Sequence, residues 1–141
     1  MLETLNIIAS SDADIIIFGG DVNAPPIEGP RQPYSMLSSL LVDSMTDKYP
    51  GASFHPVFAS FGNMENSYTG DAAPERIDYL MYRARDGIKM RTLDFTMPFF
   101  MTYGEKGTVI SLSDHEALYA TFIIEDRNSY NNSLPRILDA G

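Results

Sequence analysis

Three short polar motifs, GDVN, RID and SDH, carry the side chains of this sequence that could do chemistry. Each stands at the end of a predicted strand, the position from which loops present reactive groups on a rigid scaffold. The candidate residues within them are Asp21, Asn23, Asp78, Asp114 and His115. Carboxylate and amide oxygens suit Mg²⁺, and an imidazole beside a carboxylate is a base that can be tuned near neutral pH. The combination predicts metal-assisted hydrolysis of a phosphodiester, in which a cation offsets phosphate charge and a base activates water.

Asp78 gives the sharpest expectation, because it interrupts the apolar alternation of the stretch ERIDYLMYR. A carboxylate in such a place loses solvation unless a charged or hydrogen-bonding group meets it. We expect that group to be His115. If the strand that contains Asp78 lies beside the strand that follows His115, the carboxylate accepts the imidazole N–H and fixes its tautomer.

Each motif also has a plainer interpretation when it is taken alone. GDVN is typical of an Asx turn that closes a strand. Asp78 could pair with Arg76 or Lys89 on a solvated strand face, and His115 could be a satisfied core histidine. The joint occurrence of the three motifs, in order and at strand ends, favours a site. His55, the other histidine, is expected at the surface.

The elements that must position these residues can be read from apolar periodicity. LETLNIIAS predicts a helix, and the continuous apolar run Ile15–Phe18 predicts a strand buried on both faces. A second short helix is predicted around residues 34–41. Residues 43–74, rich in Pro and Gly, predict a loop with a short strand near 58–61. Further strands are predicted at RIDYLMYR, IKMRTLDFTM and HEALYATFIIE, with a mobile connection at 98–107.

Composition limits the class of protein. The 141 residues predict one domain at 1–125 and a polar tail or truncated linker at 126–141. A formal charge of -9, with no cluster of Lys and Arg, argues against a nucleic-acid partner. The absence of cysteine excludes disulfides and thiolate metal sites. No apolar stretch approaches the roughly 20 residues of a transmembrane helix, so we expect this chain itself to be soluble.

The segments GGDVN, ERIDYL and SLSDHEALYATF, in that order, resemble the C-terminal half of the endonuclease/exonuclease/phosphatase superfamily, and most closely the neutral sphingomyelinases. The resemblance covers most of residues 1–125. It implies an α+β fold, the C-terminal half of a deoxyribonuclease-I-like four-layer α/β/β/α sandwich. It also implies a Mg²⁺-dependent, membrane-associated parent enzyme that hydrolyses sphingomyelin, or a related choline phospholipid, to ceramide and phosphocholine.

The resemblance further implies a role for each candidate residue. Asp21 would orient or deprotonate the attacking water, and Asn23 would bind the scissile phosphate. Asp78 would hold His115. Asp114 would serve the Mg²⁺ site, directly or through water. His115 would act as the general base or as the charged group that stabilises the transition state.

The chain also departs from the family pattern. The first half of the family domain supplies an early Asn, the Glu that is the principal Mg²⁺ ligand and another catalytic His, and no segment here matches it. We therefore expect a fragment, or a chain completed by another, that is inactive by itself. The alternatives are an endonuclease or phosphatase of the same fold, and a non-catalytic remnant or interaction module. The acidic balance favours a zwitterionic choline head group over a polyanionic substrate.

Overall fold

The structure, a computed structural model, describes residues 1–52, 55–62, 66, 68–69, 71–98, 101–103 and 109–126. The helices are α1 (Leu2–Ser10), α2 (Pro33–Ser38) and α3 (Ser44–Lys48), with a 3₁₀ turn at Pro56–Phe58. The strands are β1 (Ile15–Asp21), β2 (Val42–Asp43), β3 (Asp78–Ala84), β4 (Ile88–Thr96), β5 (Met101–Tyr103), β6 (Val109–Ser111) and β7 (Tyr119–Asp126). The described chain is therefore mixed α+β, as predicted.

The strands form antiparallel sheets. One has the order β1–β3–β2, and β1 pairs with β3 along its whole length, from Ile15 opposite Ala84 to Asp21 opposite Asp78. A second sheet pairs β4 with β7, with an irregularity in register between Thr92 and Asp94. A third pairs β5 with β6. The candidate site lies where β1 ends and β3 begins.

Helices pack on one face of the β1–β3–β2 sheet. The buried apolar cluster there consists of Ile8, Tyr34, Leu37, Leu41, Tyr79 and Met81. Because successive side chains of a strand point to opposite faces, Tyr79 and Met81 enter this cluster while Asp78 and Leu80 face away from it. Burial of a side chain such as Leu37, which is fully buried, stabilises the fold by roughly 1.5–3 kcal/mol. The cluster therefore anchors β3 and leaves Asp78 on the opposite face.

The predicted burial of β1 on both faces is wrong. Ile16 and Phe18 pack against the helix-side cluster, but Ile17 is 56% exposed. Within the described residues β1 pairs with β3 alone, and Ile17 points to the face that the helices do not cover. A continuous apolar run therefore did not mean two covered faces.

The predicted loop at 43–74 contains more regular structure than expected, namely β2, α3 and the 3₁₀ turn. Asp43 caps α3 by accepting the backbone N–H of Met45. Asp47 accepts hydrogen bonds from the Tyr82 hydroxyl and from the backbone N–H of Thr92. These long-range contacts stabilise a five-residue helix that local periodicity does not indicate.

The predictions for LETLNIIAS and for the strands now named β1, β3, β4 and β7 are confirmed in position. The predicted strand near 58–61 reduces to isolated bridges from Phe61 to Glu75 and to His115. The predicted connection at 98–107 includes β5, whereas residues 99–100 and 104–107 lie outside the described part of the chain. The predicted tail also lies outside it from residue 127 onward. None of the described helices has the length and apolarity needed to cross a membrane.

Candidate catalytic site

Two carboxylates face each other at the end of the β1–β3 pair. Asp21 and Asp78 are direct cross-strand partners, and the backbone N–H of Val22 donates to Ile77 O over 2.9 Å just beyond them. Like charges placed directly opposite each other on a sheet destabilise it unless a positive group lies close by. A cation or a proton donor at this position would offset that repulsion.

His115 supplies that proton donor. Its Nδ1 lies 2.7 Å from Asp78 Oδ2, and the side chains are 26% and 14% exposed, respectively. Because an ionised carboxylate can only accept a hydrogen bond, Nδ1 carries the proton in this contact. In the neutral ring Nε2 is then the atom that can accept a proton, and in the charged ring it is a second donor.

The charges around His115 favour its protonated form. Partial burial lowers the pKa of the imidazole, but the hydrogen bond and charge of Asp78 raise it more, and the charges of Asp114 and Asp21 add to that effect. The pKa of His115 therefore lies above its ordinary value. A charged imidazole compensates part of the negative charge concentrated at this strand end.

The expected contact between Asp78 and His115 is present, but the strand adjacency predicted to create it is wrong. β3 lies between β1 and β2, whereas β7, the strand that follows His115, pairs with β4. The two residues meet across the segment 60–61, where Phe61 is bridged to both Glu75 and His115. The ring of Phe61 also lies 5.2 Å from the imidazole, centroid to centroid.

A buried asparagine that the sequence did not single out holds the turn that carries His115. The side-chain amide of Asn66, which is 5% exposed, donates to Ser113 O over 2.9 Å. Ser113 Oγ in turn accepts the backbone N–H of His115 over 3.1 Å. Asn66 Oδ1 accepts the backbone N–H of Tyr68. Nothing in the local sequence pattern indicates a contact over such a separation.

Asn23 lies against Asp21. Its backbone N–H donates to Asp21 Oδ1 over 2.7 Å and its side-chain amide to Asp21 Oδ2 over 3.3 Å. The geometry is that of an Asx turn, so the plainer interpretation of GDVN describes the local structure correctly. Asn23 also has a φ of 54°, a left-handed conformation uncommon for a residue other than glycine. Both side chains are exposed and available to a ligand.

Asp114 does not join the closest group of carboxylates and imidazole. The potential ligand atoms of Asp21, Asp78 and His115 all lie within 4.8 Å of one another, and Asp114 is not part of this set. Its exposed carboxylate lies 3.4 Å from Ser113 Oγ and acts on the site through its charge on His115. Its assignment as the Mg²⁺ ligand stays a prediction.

The donor set is compatible with hydrated Mg²⁺ on carboxylates, but not with a histidine ligand through Nδ1. That nitrogen is engaged by Asp78, so it offers no lone pair to a metal. Mg²⁺ usually keeps several waters and takes one or two carboxylates, and the oxygens of Asp21 and Asp78 meet that requirement. Both residues face the same end of the sheet.

A cavity of about 270 Å³ adjoins Asp78. Its lining residues are Gly19, Gly20, Asp78, Tyr79, Leu80, Glu116 and Leu118. A larger cavity of about 460 Å³ lies toward the other end of β3, around Tyr82 and Ala84. Asp78 lines the smaller space, which is therefore the candidate substrate cavity, whereas Asp21 and His115 are not among its lining residues.

Arg76 is not the partner of Asp78. Its Nη2 contacts both carboxylate oxygens of Asp43, at 2.6 and 2.7 Å, in a pair whose side chains are 5% and 2% exposed. The plainer interpretation that joined Arg76 to Asp78 is therefore wrong.

His115, with a quarter of its side chain exposed, is not a core histidine. His55 is exposed, as expected.

Comparison with known proteins adds no identification. No protein-family model matches the chain, and no curated protein or solved structure is significantly similar to it. Any function assigned to the Asp21, Asp78 and His115 group is therefore a proposal.

Proposed function

We propose that this chain carries the acid–base residues of a Mg²⁺-dependent phosphodiesterase of the neutral sphingomyelinase type, built on the C-terminal half of a deoxyribonuclease-I-like sandwich. The observation that supports the proposal most is the 2.7 Å contact between His115 Nδ1 and Asp78 Oδ2, with Asp21 opposite Asp78. A carboxylate-held imidazole beside a second carboxylate is suited to moving protons during hydrolysis.

The raised pKa of His115 favours one division of roles. In its protonated form, which this shift favours, the imidazole donates from Nε2 to an oxygen of the phosphoryl group or of the leaving alcohol, while Asp78 holds Nδ1–H. Asp21 is then the group that orients the attacking water and accepts its proton. Asn23, released from Asp21, donates its amide to a phosphate oxygen.

The proposed reaction also uses Mg²⁺. When bound, it would offset negative charge on the phosphate and help to order water. Asp114 is the residue we assign to hold it, directly or through water, because its carboxylate is exposed and its charge acts on His115. The Asp21 carboxylate then remains available to orient the attacking water.

The proposed substrate is a choline phospholipid. The chain has a formal charge of -9, and a polyanion such as DNA requires cationic contacts that a zwitterionic head group does not. Hydrolysis of sphingomyelin would give ceramide and phosphocholine at a membrane surface. An endonuclease or phosphatase of the same fold is the competing enzyme, and a non-catalytic interaction module is the competing class.

The test is phosphocholine release from sphingomyelin vesicles, with Mg²⁺ and with excess chelator. It should be run on this chain and on a version extended by the coding sequence upstream. In whichever form is active, His115→Ala and Asp78→Asn should each lower turnover by about 10²–10⁴-fold, because proton transfer contributes on that order. Chelation of Mg²⁺ should abolish turnover.

His55→Ala is the matched control, since it removes the other histidine, which is exposed and outside the site. It should leave turnover unchanged. Full activity in His115→Ala would refute the assigned mechanism. Cleavage of plasmid DNA in place of sphingomyelin would favour the nuclease, and inactivity of both forms on all substrates would favour the interaction module.

A further inference from the structure

Ser60 joins the two parts of the candidate site, although it is uncharged and lies outside the helices and strands. Its Oγ accepts the backbone N–H of Ile77 over 3.1 Å and that of Asp78 over 2.9 Å. Its backbone carbonyl accepts the N–H of Glu116, the residue after His115, over 2.8 Å. One residue therefore ties the segment that carries Asp78 to the segment that carries His115.

The surroundings of Ser60 make this link difficult to replace. The residue is fully buried, so bulk water cannot take over the role of its hydroxyl. A hydroxyl oxygen has two acceptor lone pairs, and the two backbone N–H groups use both. The next residue, Phe61, packs its ring against the imidazole and is bridged to Glu75 and His115. The distance between Asp78 and His115 therefore depends on residues 60–61, because Ser60 contacts the start of β3 and Phe61 contacts His115.

We propose that Ser60 is a positioning residue for the Asp78–His115 pair. Its hydroxyl fixes where β3 begins relative to the turn that carries the imidazole, and so sets the contact between Nδ1 and the carboxylate. The positioning is a property of the fold, whereas its consequence for turnover rests on the proposed function. In Ser60→Ala the two N–H groups lose their acceptor, and Asp78 can move relative to His115.

Ser44 provides a matched control. It is fully buried like Ser60, but its Oγ has no hydrogen-bond partner in the described part of the chain. Ser44→Ala therefore removes the same atom from an equally dry position without breaking a bond. Any effect that is shared by both variants reflects loss of a buried hydroxyl, and only an effect specific to Ser60→Ala reflects positioning.

The decisive readout is the NMR resonance of the His115 Nδ1 proton, recorded in a His55→Ala background so that one imidazole remains. A proton hydrogen-bonded to a carboxylate should resonate far downfield and exchange slowly in the parent, meaning here the protein without a serine substitution, and in Ser44→Ala. In Ser60→Ala the signal should move upfield, and its exchange with water should be about tenfold faster, because the contact opens more often. An unchanged signal in folded Ser60→Ala would overturn the proposal.

A second variant covers the case in which Ser60→Ala does not fold. Ser60→Cys keeps a side chain of similar size, but a thiol is a weak acceptor. In Ser60→Cys the resonance of the His115 Nδ1 proton should shift in the same direction as in Ser60→Ala, but by less. A folded Ser60→Cys protein with the parent's signal would overturn the positioning role.

Kinetics separate this inference from the proposed function. In the form of the protein that releases phosphocholine, Ser60→Ala should lower kcat by about 10–100-fold with KM changed less than about twofold, since misplacement affects the reacting geometry. The predicted upfield shift in Ser60→Ala, without turnover in either form of the unsubstituted protein, would support positioning and refute the function. If Ser60→Ala in an active protein kept both its kcat and the original signal of the His115 Nδ1 proton, the positioning role would be refuted. The proposed function would not be affected.

Discussion

Arg76 and Asp78 lie two residues apart and each forms a charge pair, yet the two pairs differ in their surroundings. The side chains of Arg76 and Asp43 are 5% and 2% exposed, whereas those of Asp78 and His115 are 14% and 26% exposed. Asp43 also accepts the hydroxyl of Tyr34 over 3.0 Å. The first pair is closed within the core, and the second is open to a reactant.

The balance of charge differs as well. The Arg76 guanidinium, which stays charged in proteins, faces one carboxylate and packs over the ring of Tyr79 at 4.6 Å. His115 titrates and is influenced by three carboxylates, those of Asp78, Asp114 and Asp21. A matched pair of fixed charges supports structure, whereas a titratable group among excess negative charge can exchange protons and attract a cation. Exposure and charge balance therefore separate the candidate site from its structural neighbour.

The largest effect on stability is expected from breaking the closed pair. Arg76→Met leaves the carboxylate of Asp43 buried without its cation, and should lower the free energy of unfolding by about 3–5 kcal/mol. Urea denaturation followed by circular dichroism measures this change. Arg85→Met is the matched control, because Arg85 pairs with Asp14 at side-chain exposures of 63% and 59%. It should change stability by less than about 1 kcal/mol. Equal losses in the two variants would contradict the distinction between closed and exposed pairs.

The open pair should make a smaller, pH-dependent contribution. Because the pKa of His115 is raised in the folded state, its protonation stabilises the fold fully below the unfolded value of about 6.5. That stabilisation is lost as the pH rises through the folded pKa. The advantage of the parent over His115→Gln in free energy of unfolding should therefore be larger at about pH 5.5 than at about pH 9. The same advantage at both pH values would mean that the charged imidazole does not stabilise this strand end.

Much of the framework could be predicted from the sequence, because α1, β3, β4 and β7 have clear apolar periodicity. The short α3 could not, since it depends on the Asp43 cap and on contacts of Asp47 with β3 and β4. The double burial of β1 was wrongly predicted because an apolar run does not show which faces are covered. Local patterns thus indicate the elements but not all of their neighbours.

The candidate site was predictable to a similar extent. Asp21, Asp78 and His115 were identified by residue type and by their place at strand ends, and the structure brings them together. The way in which Asp78 and His115 come together was not predicted. They are joined through the segment that contains Ser60 and Phe61, and not by adjacent strands. A neutral serine in a Pro- and Gly-rich stretch gives no sequence signal, because the role of its hydroxyl depends on contacts with residues 17 and 18 positions away.

Whether Asp78 and His115 form a functional pair is tested most directly by an NMR titration of the His115 imidazole in a His55→Ala background. We expect a pKa above the ordinary value of about 6.5 in the unsubstituted protein. In Asp78→Asn, where the carboxylate charge is lost, the pKa of His115 should be clearly lower. The same His115 titration midpoint in both proteins would contradict a functional pairing of the two residues.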